Sequence, residues 1–371
     1  MMQRSAARTS LRVRRHHEFE DAFAELYEHP RQIATVHDVR FKDDANREEM
    51  GYGQGVLRDF IHAAVEGGFR PHCGLFTEDP ETKTLHVLPY ANPVPEEGDA
   101  RPRFAFLGRL LGRAIQDGVL VDVPLPGYLR NGLLGRQNGF ADLLSYDAGL
   151  YRHLCALRSG HYTEEQLEAM ELTFTHSEQH LGQTFEVPLV HGGETTRVTR
   201  ANALEYCHLL TDYLLNRRCG RQVRALQAGL FEVVPRERLK IFNAEELQTL
   251  IRGQENDIPL DVDDWRAHTH YSRWDANDPG IEVFWAAIRS MAPHEQRAVL
   301  KFATSAGRAP LLGFAQLQPV FTLERSGNNE SYLPTAATCM CALRIPRYST
   351  PEVAKTKLLQ AATQCDTFEM S

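Results

Sequence analysis

The chain has 371 residues, of which 42% are hydrophobic and 24% charged, values ordinary for a folded protein of two or three domains. Its net charge of −8, from 49 acidic and 41 basic residues, speaks against a general binder of nucleic acid or anionic membrane. No apolar stretch reaches the ~18–20 residues needed to cross a bilayer.

The start, MMQRSAARTSLRVRRHH, is Arg- and Ser-rich with no acid before Glu18, a composition shared with transit peptides. The alternation of Leu11 and Val13 with Arg12 and Arg14 fits a short strand equally well. Phe19, Phe23 and Leu26 mark a helix, and Val56, Phe60, Ala63 and Ala64 mark another. Before the second stand Gly51, Gly53 and Gly55, which match no phosphate-binding pattern and predict a tight helix entry. Phe104, Leu107, Leu111 and Ala114 make a helical stripe, with Gly108 and Gly112 suited to close packing. Over residues 170–198 the period changes, and ELTFT, TFEVPLV and TTRVT read as short strands of a meander. Three helical segments are expected between about 201 and 252.

The polar, acidic stretch GQENDIPLDVDDW follows. Residues 253–260 read as a linker between a large N-terminal part, 1–252, and a smaller C-terminal part, 261–371. The latter is expected to hold helices near 280–303, extended segments around 318–345 and a last helix from Thr350 to about Thr363.

Seven cysteines, at 73, 155, 207, 219, 339, 341 and 365, are irregularly spaced behind no secretory signal, which fits a reducing compartment, cytoplasm or nucleus. There is no C-x-x-C and no H-E-x-x-H. His268 and His270 read as solvated loop residues rather than zinc ligands, and no metal or organic cofactor is expected. In LPTAATCMCALRIPRY, Cys339 taken alone reads as structural, since free cysteine is among the most buried residue types. Yet Pro334, Thr335, Ala336 and Ala337 make a poor strand interior and a plausible loop that exposes the next side chain. If the segment is extended, Cys339 and Cys341 share one face and Met340 takes the other. Cys341 then leads the apolar run Ala342, Leu343 and Ile345 as the better candidate for a buried sulfur. A protease-like thiol needs a base, usually histidine, and none follows His294. A thiolate is still a strong nucleophile towards an electrophile that is already activated, such as a thioester.

LPTAATCM, followed by LRIPRYSTPEVAKTKLLQAA and a chain ending in FEMS, resembles the C-lobe of HECT-type ubiquitin ligases. Upstream, LRVRRHHEFEDAF, GVLRDF, GGFRPHCGLF, FAFLGRLLGRAIQDGVLVDVPL, ELTFT, DYLLNR, LFEVVP, LKIFNAEELQTLIRG, VFWAAI and VLKFATSAGRAP resemble further blocks of that family in order. The resemblance runs from about residue 11 to 371. The TCM centre and the Ser-terminated tail are most similar to the branch containing ubiquitin ligase E-three-C.

This resemblance implies a bilobal α+β fold: a mainly helical N-lobe with a small β-containing subdomain, and a smaller α/β C-lobe joined by a flexible hinge at 253–260. It implies that Cys339 accepts ubiquitin as a thioester from a conjugating enzyme and passes it to substrate lysines. Thr338 would support the nucleophile, and Phe368 would anchor the tail for ligation. Leu150, Tyr206, Leu210 and Tyr213 would dock the conjugating enzyme. The last three fall on one helical face, a stripe that on pattern alone is more often core. Implied partners are ubiquitin, a conjugating enzyme and protein substrates, with no nucleic acid or membrane and a monomeric isolated domain.

Several positions depart from the family pattern. Ala337 stands where many relatives have histidine, and Gln54 where glycine is usual. THYSRWD lacks a glycine pair. Ser371 stands where some relatives end in an acid, leaving Glu369 as a substitute. Two other classes compete: a thiol-dependent deubiquitinating hydrolase, and a catalytically inactive interaction scaffold.

Overall fold

The computed structural model describes residues 9–42, 47–48, 54–90, 99–253, 259–275, 278–304, 308–310 and 313–368. Gly51, Gly53, Glu369, Ser371 and most of the expected 253–260 linker lie outside the described residues. The chain forms two compact units, one from residues 1–67, 113–122 and 249–371, the other from 68–112 and 123–248.

Strand β1 (Thr9–Arg14) buries Leu11 and Val13 and pairs in parallel with β2 (Val36–Lys42), with Leu11 opposite Val39 and Val13 opposite Phe41. Helix α1 (Glu18–Leu26) joins them and buries Phe19, Ala22, Phe23 and Leu26 on one stripe. Helix α2 (Gln54–Phe69) buries Phe60, Ile61, Ala64 and Val65.

The short hairpin β3 (Phe76–Glu78) and β4 (Leu85–Val87) opens the second unit. Helices α3 (Arg101–Asp117), α4 (Gly127–Leu133), α5 (Ala148–Arg158) and α6 (Glu164–Met170) follow. An antiparallel pair, β5 (Thr175–His180) and β6 (Gln183–Pro188), stands where a longer meander was expected. The flanking residues turn instead of extending: the Phe174 amide is shared between the carbonyls of Gly193 and Thr196, and only Thr173 and Arg197 bridge. Helix α7 (Ala203–Asp212) runs on through a π turn at Tyr213–Arg217, then come α8 (Gly220–Val233), α9 (Arg236–Leu239) and α10 (Ala244–Arg252).

Helices α3 and α8 touch backbone to backbone. A Cβ at Gly108 would stand 2.0 Å from the Leu226 carbonyl oxygen, and one at Gly229 would stand 1.8 Å from that of Ala105. The packing role expected of Gly108 therefore has a reciprocal glycine on the facing helix.

The C-terminal residues add α11 (Val262–Ala267), β7 (His270–Ser272), α12 (Pro279–Arg289), α13 (Pro293–Thr304), β8 (Thr322–Gly327), β9 (Thr335–Ala337), β10 (Ala342–Pro346) and α14 (Pro351–Phe368). The sheet order is β7-β8-β10-β9, with β8 parallel to both its neighbours and β9 antiparallel to β10. Its core is aromatic. Trp265 stacks on Phe314 at 5.1 Å and meets Trp285 and Phe321 edge-on, arrangements that add to area burial. Helix α14 outruns its expected end at Thr363 because no glycine or proline interrupts QAATQCDTF.

Candidate active site

Strand β10 is held on both sides: Leu343 lies opposite Leu323 of β8 and Ala336 of β9 and is fully buried. The link from β9 to β10 is a single 3-10 turn, Thr338–Met340, followed by Cys341 in the left-handed region at φ 47. The Cys341 amide donates to the Thr338 carbonyl at 3.0 Å, and its carbonyl accepts from the Thr322 amide at 2.9 Å. These bonds hold a backbone conformation that costs a non-glycine residue about 1–3 kcal/mol, a kind of strain that clusters at functional sites.

The turn corrects the expected alternation of Cys339, Met340 and Cys341 across an extended strand. Cys341 is buried as expected, Thr338 is exposed and Met340 is 61% exposed. Cys339 occupies the middle of the turn by its backbone; its side chain, like that of Phe368, lies outside the described residues.

Beside the turn is a cavity of about 60 Å³, lined by Thr338, Cys341, Arg308, Arg58, Asp59 and His62 among others. Its charged groups are already engaged. Arg58 donates to the Gly118 carbonyl at 3.2 Å, and Arg15 pairs with Asp59 at 2.8 Å. His62 Nδ1 lies 3.0 Å from the Leu120 carbonyl, which can only accept, so that nitrogen carries the proton. Its Nε2 faces Glu66 at 3.4 Å. Reading the sequence alone missed His62, Asp59 and Arg308 here. Helix α2 and the turn stand at opposite ends of the chain, and no local spacing relates them.

In the other unit, Tyr206, Leu210 and Tyr213 do share a face, and all three are buried, at 7%, 4% and 9% exposure. Tyr206 meets Phe174 edge-on at 5.5 Å. The Tyr213 hydroxyl donates at 2.9 Å to Glu178, whose fully buried carboxylate also takes Arg218 Nε and Nη2 at 2.6 and 2.7 Å. Burial pushes the Glu178 carboxyl up, but its hydrogen bonds to Arg218 and Tyr213 outweigh this and hold it below the usual range. Leu150 is half-buried in the first turn of α5, and Leu204 in α7 is 65% exposed.

Two thiols of this unit sit where the thiolate is disfavoured: desolvation pushes Cys207 up to about 11 and Cys219 up to about 12. His268 is exposed and pairs with Asp264 at 2.9 Å. Among the described residues, no group of three His, Cys, Asp or Glu side chains is arranged to hold a metal ion. No described helix is long and apolar enough to cross a membrane.

The sequence profile of the HECT-domain (ubiquitin-transferase) family matches residues 62–371. The chain is 34% identical over 377 residues to the E3 ubiquitin-protein ligase UPL6 of Arabidopsis thaliana, covering 98% of this chain and 36% of that protein. It is 31% identical over 364 residues to the E3 ubiquitin-protein ligase HUL5 of Saccharomyces cerevisiae, covering 97% and 39%. It is 29% identical over 400 residues to the human ubiquitin-protein ligase E3B, covering 98% and 36%. The chain thus spans 36–39% of the length of these three relatives. With a family match that includes the sheet, the Thr338–Met340 turn and most of the helical unit, this chain belongs to the HECT-domain family of ubiquitin transferases.

Proposed function

We propose that this chain is the catalytic region of a ubiquitin-protein ligase that takes ubiquitin from a conjugating enzyme onto Cys339 and hands it to substrate lysines. The supporting observation is the outward turn at Thr338–Met340, pinned by β8 and β10, in a chain of the ubiquitin-transferase family.

In the first step the Cys339 thiolate attacks the carbonyl carbon of the incoming thioester. The bond to the conjugating enzyme's sulfur breaks, and that sulfur leaves as a thiolate. One thioester replaces another, so the step is nearly neutral and asks for no protease-type base. In the second step a lysine amine attacks the same carbon, a C–N bond forms and Cys339 leaves as a thiolate. The ammonium proton passes to water or a nearby carboxylate. Thr338, exposed beside the nucleophile, is assigned to hydrogen-bond the sulfur or the thioester carbonyl.

The remaining assignments extend this reading. Residues 1–252 form the lobe that receives the conjugating enzyme, 261–371 the catalytic lobe, and 253–260 the hinge. Gly253 opens that hinge at φ 80, a conformation that favours glycine. Tyr206, Leu210 and Tyr213, together with the half-buried Leu150, form the docking site. Phe368, the last residue of α14, anchors the tail during ligation. The TCM centre places the chain near the E-three-C branch, and its partners are ubiquitin, a conjugating enzyme and protein substrates. It acts in the cytoplasm or nucleus, as a monomer when isolated.

A pulse–chase separates this function from a thiol hydrolase. Labelled ubiquitin is loaded, loading is quenched, and an acceptor lysine is added. Discharge that depends on lysine concentration and yields an isopeptide is expected. Discharge to water at a rate indifferent to lysine would contradict it.

A further inference from the structure

We propose that Arg308 is a positioning residue for delivery of ubiquitin from Cys339. This rests on the transfer reaction proposed above. Arg308 follows α13, and its side chain is only 11% exposed. Its Nη1 donates to the Arg252 carbonyl at 2.7 Å, and its Nη2 lies 3.3 Å from Asp122 Oδ1. Arg252 ends α10, where the last carbonyls have no partner within the helix and a cation is favoured. Arg252 itself grips the same Asp122 oxygen through Nε and Nη2, at 2.8 and 2.5 Å. The Asp122 amide in turn donates to Glu66 of α2 at 2.9 Å.

The next residue, Gly253, is enclosed by the same groups. A Cβ there would stand 3.0 Å from Leu120 Cδ1 and 3.3 Å from Arg308 Cβ and Cδ. One side chain therefore ties the entrance of the 253–260 segment to α10 and to residues 118–122. Arg308 also lines the cavity that Thr338 and Cys341 share with Arg58, Asp59 and His62. Helix α13, just before it, packs against β9 and the nucleophile turn.

Contacts at the hinge entrance and at the turn thus meet at Arg308, which bonds to the Arg252 carbonyl and Asp122 and lines the cavity beside Thr338 and Cys341. Receiving and delivering ubiquitin ask the turn to face two different partners. The guanidinium holds one of those arrangements, the one in which the turn lies against α2, and we assign it to delivery. Arg308 touches no reacting atom in this account. It acts by keeping the loaded turn in place while a lysine enters.

The test follows discharge of pre-loaded protein over a range of acceptor lysine concentrations, together with hydrogen exchange of the Gly253 and Val121 amides. The Gly253 amide donates to Thr249 at 2.7 Å and the Val121 amide to Ile251 at 2.9 Å. In Arg308→Ala the limiting discharge rate is expected to fall about tenfold, a population shift of one decade, with half-saturation unchanged and both amides exchanging faster. Arg308→Lys, which can still reach one acceptor, should recover part of the rate, whereas Arg308→Gln should not.

Unchanged discharge in Arg308→Ala would overturn the proposal. So would a loss that tracks thermal stability across all three variants, as expected of a merely structural arginine. Absence of a Cys339 adduct in the wild type would strike the transfer reaction itself. The exchange measurement needs no ubiquitin, and unchanged exchange in Arg308→Ala overturns the anchor on its own.

Discussion

Two settings for sulfur contrast in this molecule. In the helical unit Cys219 donates to the Val87 carbonyl at 3.4 Å and Cys207 to the Leu154 carbonyl at 3.8 Å, and burial drives both thiols far above neutrality. In the C-terminal sheet the chain makes one 3-10 turn between two paired strands, and the residues flanking Cys339 face outward. Two residues on, Cys341 returns to the interior. The contrast between these thiols therefore lies in where the backbone turns: Cys207 and Cys219 sit where burial disfavours the thiolate, whereas Cys339 sits in a turn whose flanking side chains are exposed.

The largest expected effect breaks the buried setting. Glu178→Gln removes the carboxylate that balances Arg218 and should cost about 3–5 kcal/mol, the usual penalty for leaving one member of a buried pair alone. Urea denaturation at neutral pH measures it. The same change removes a negative charge that holds the Cys219 thiol up while leaving the arginine that lowers it, so Cys219 should become easier to ionise. Because the folded-state carboxyl is held below its usual range, its contribution is complete above the ordinary carboxylate pKa of ~4 and is lost as pH falls below that. A stability that declines equally in Glu178→Gln and wild type through that acid window would contradict the assignment.

Next in size is thiol alkylation of the native protein. At pH 7.5 a thiol at about 12 has a thiolate fraction roughly a thousandfold below that of an ordinary thiol near 8.5, offset in part by its greater intrinsic nucleophilicity. Cys339 should therefore react about a hundredfold faster than Cys219 or more, read by mass spectrometry of labelled peptides. Comparable rates would erase the contrast. The smallest effect sharpens the other side: Met340→Ala, at a site 61% exposed, should change stability by no more than about 0.5 kcal/mol. A larger loss would mean that the turn is packed against something the comparison leaves out.

Much of this fold was legible in the chain, and the exceptions have physical reasons. The stripes at Phe19, Phe23 and Leu26 and at Phe104, Leu107 and Leu111 identified helices because 3.6-residue periodicity survives in any amphipathic helix. Gly108 announced close packing, although only the structure supplied Gly229 as its counterpart. The stretch LPTAATCM pointed to the loop that carries Cys339, whereas its shape was not legible: strand alternation assumes extended backbone, and a single left-handed residue at Cys341 cancels it. Tyr206, Leu210 and Tyr213 share a face as their spacing implied, but period alone did not announce that Tyr206 meets Phe174 and Tyr213 meets Glu178, because those contacts arise only in the tertiary fold. The grouping of Arg58, Asp59 and His62 with the turn was invisible because tertiary folding alone brings it about.

The most direct measurement is the site of the ubiquitin adduct. The chain is incubated with activating enzyme, a conjugating enzyme, ubiquitin and ATP, resolved without reductant, and the modified residue is mapped in the wild type, Cys339→Ala and Cys341→Ala. A thiol-sensitive adduct on the wild type and Cys341→Ala, absent from Cys339→Ala, is the expected result. An adduct that persists in folded Cys339→Ala would show that the outward turn is not where ubiquitin is held.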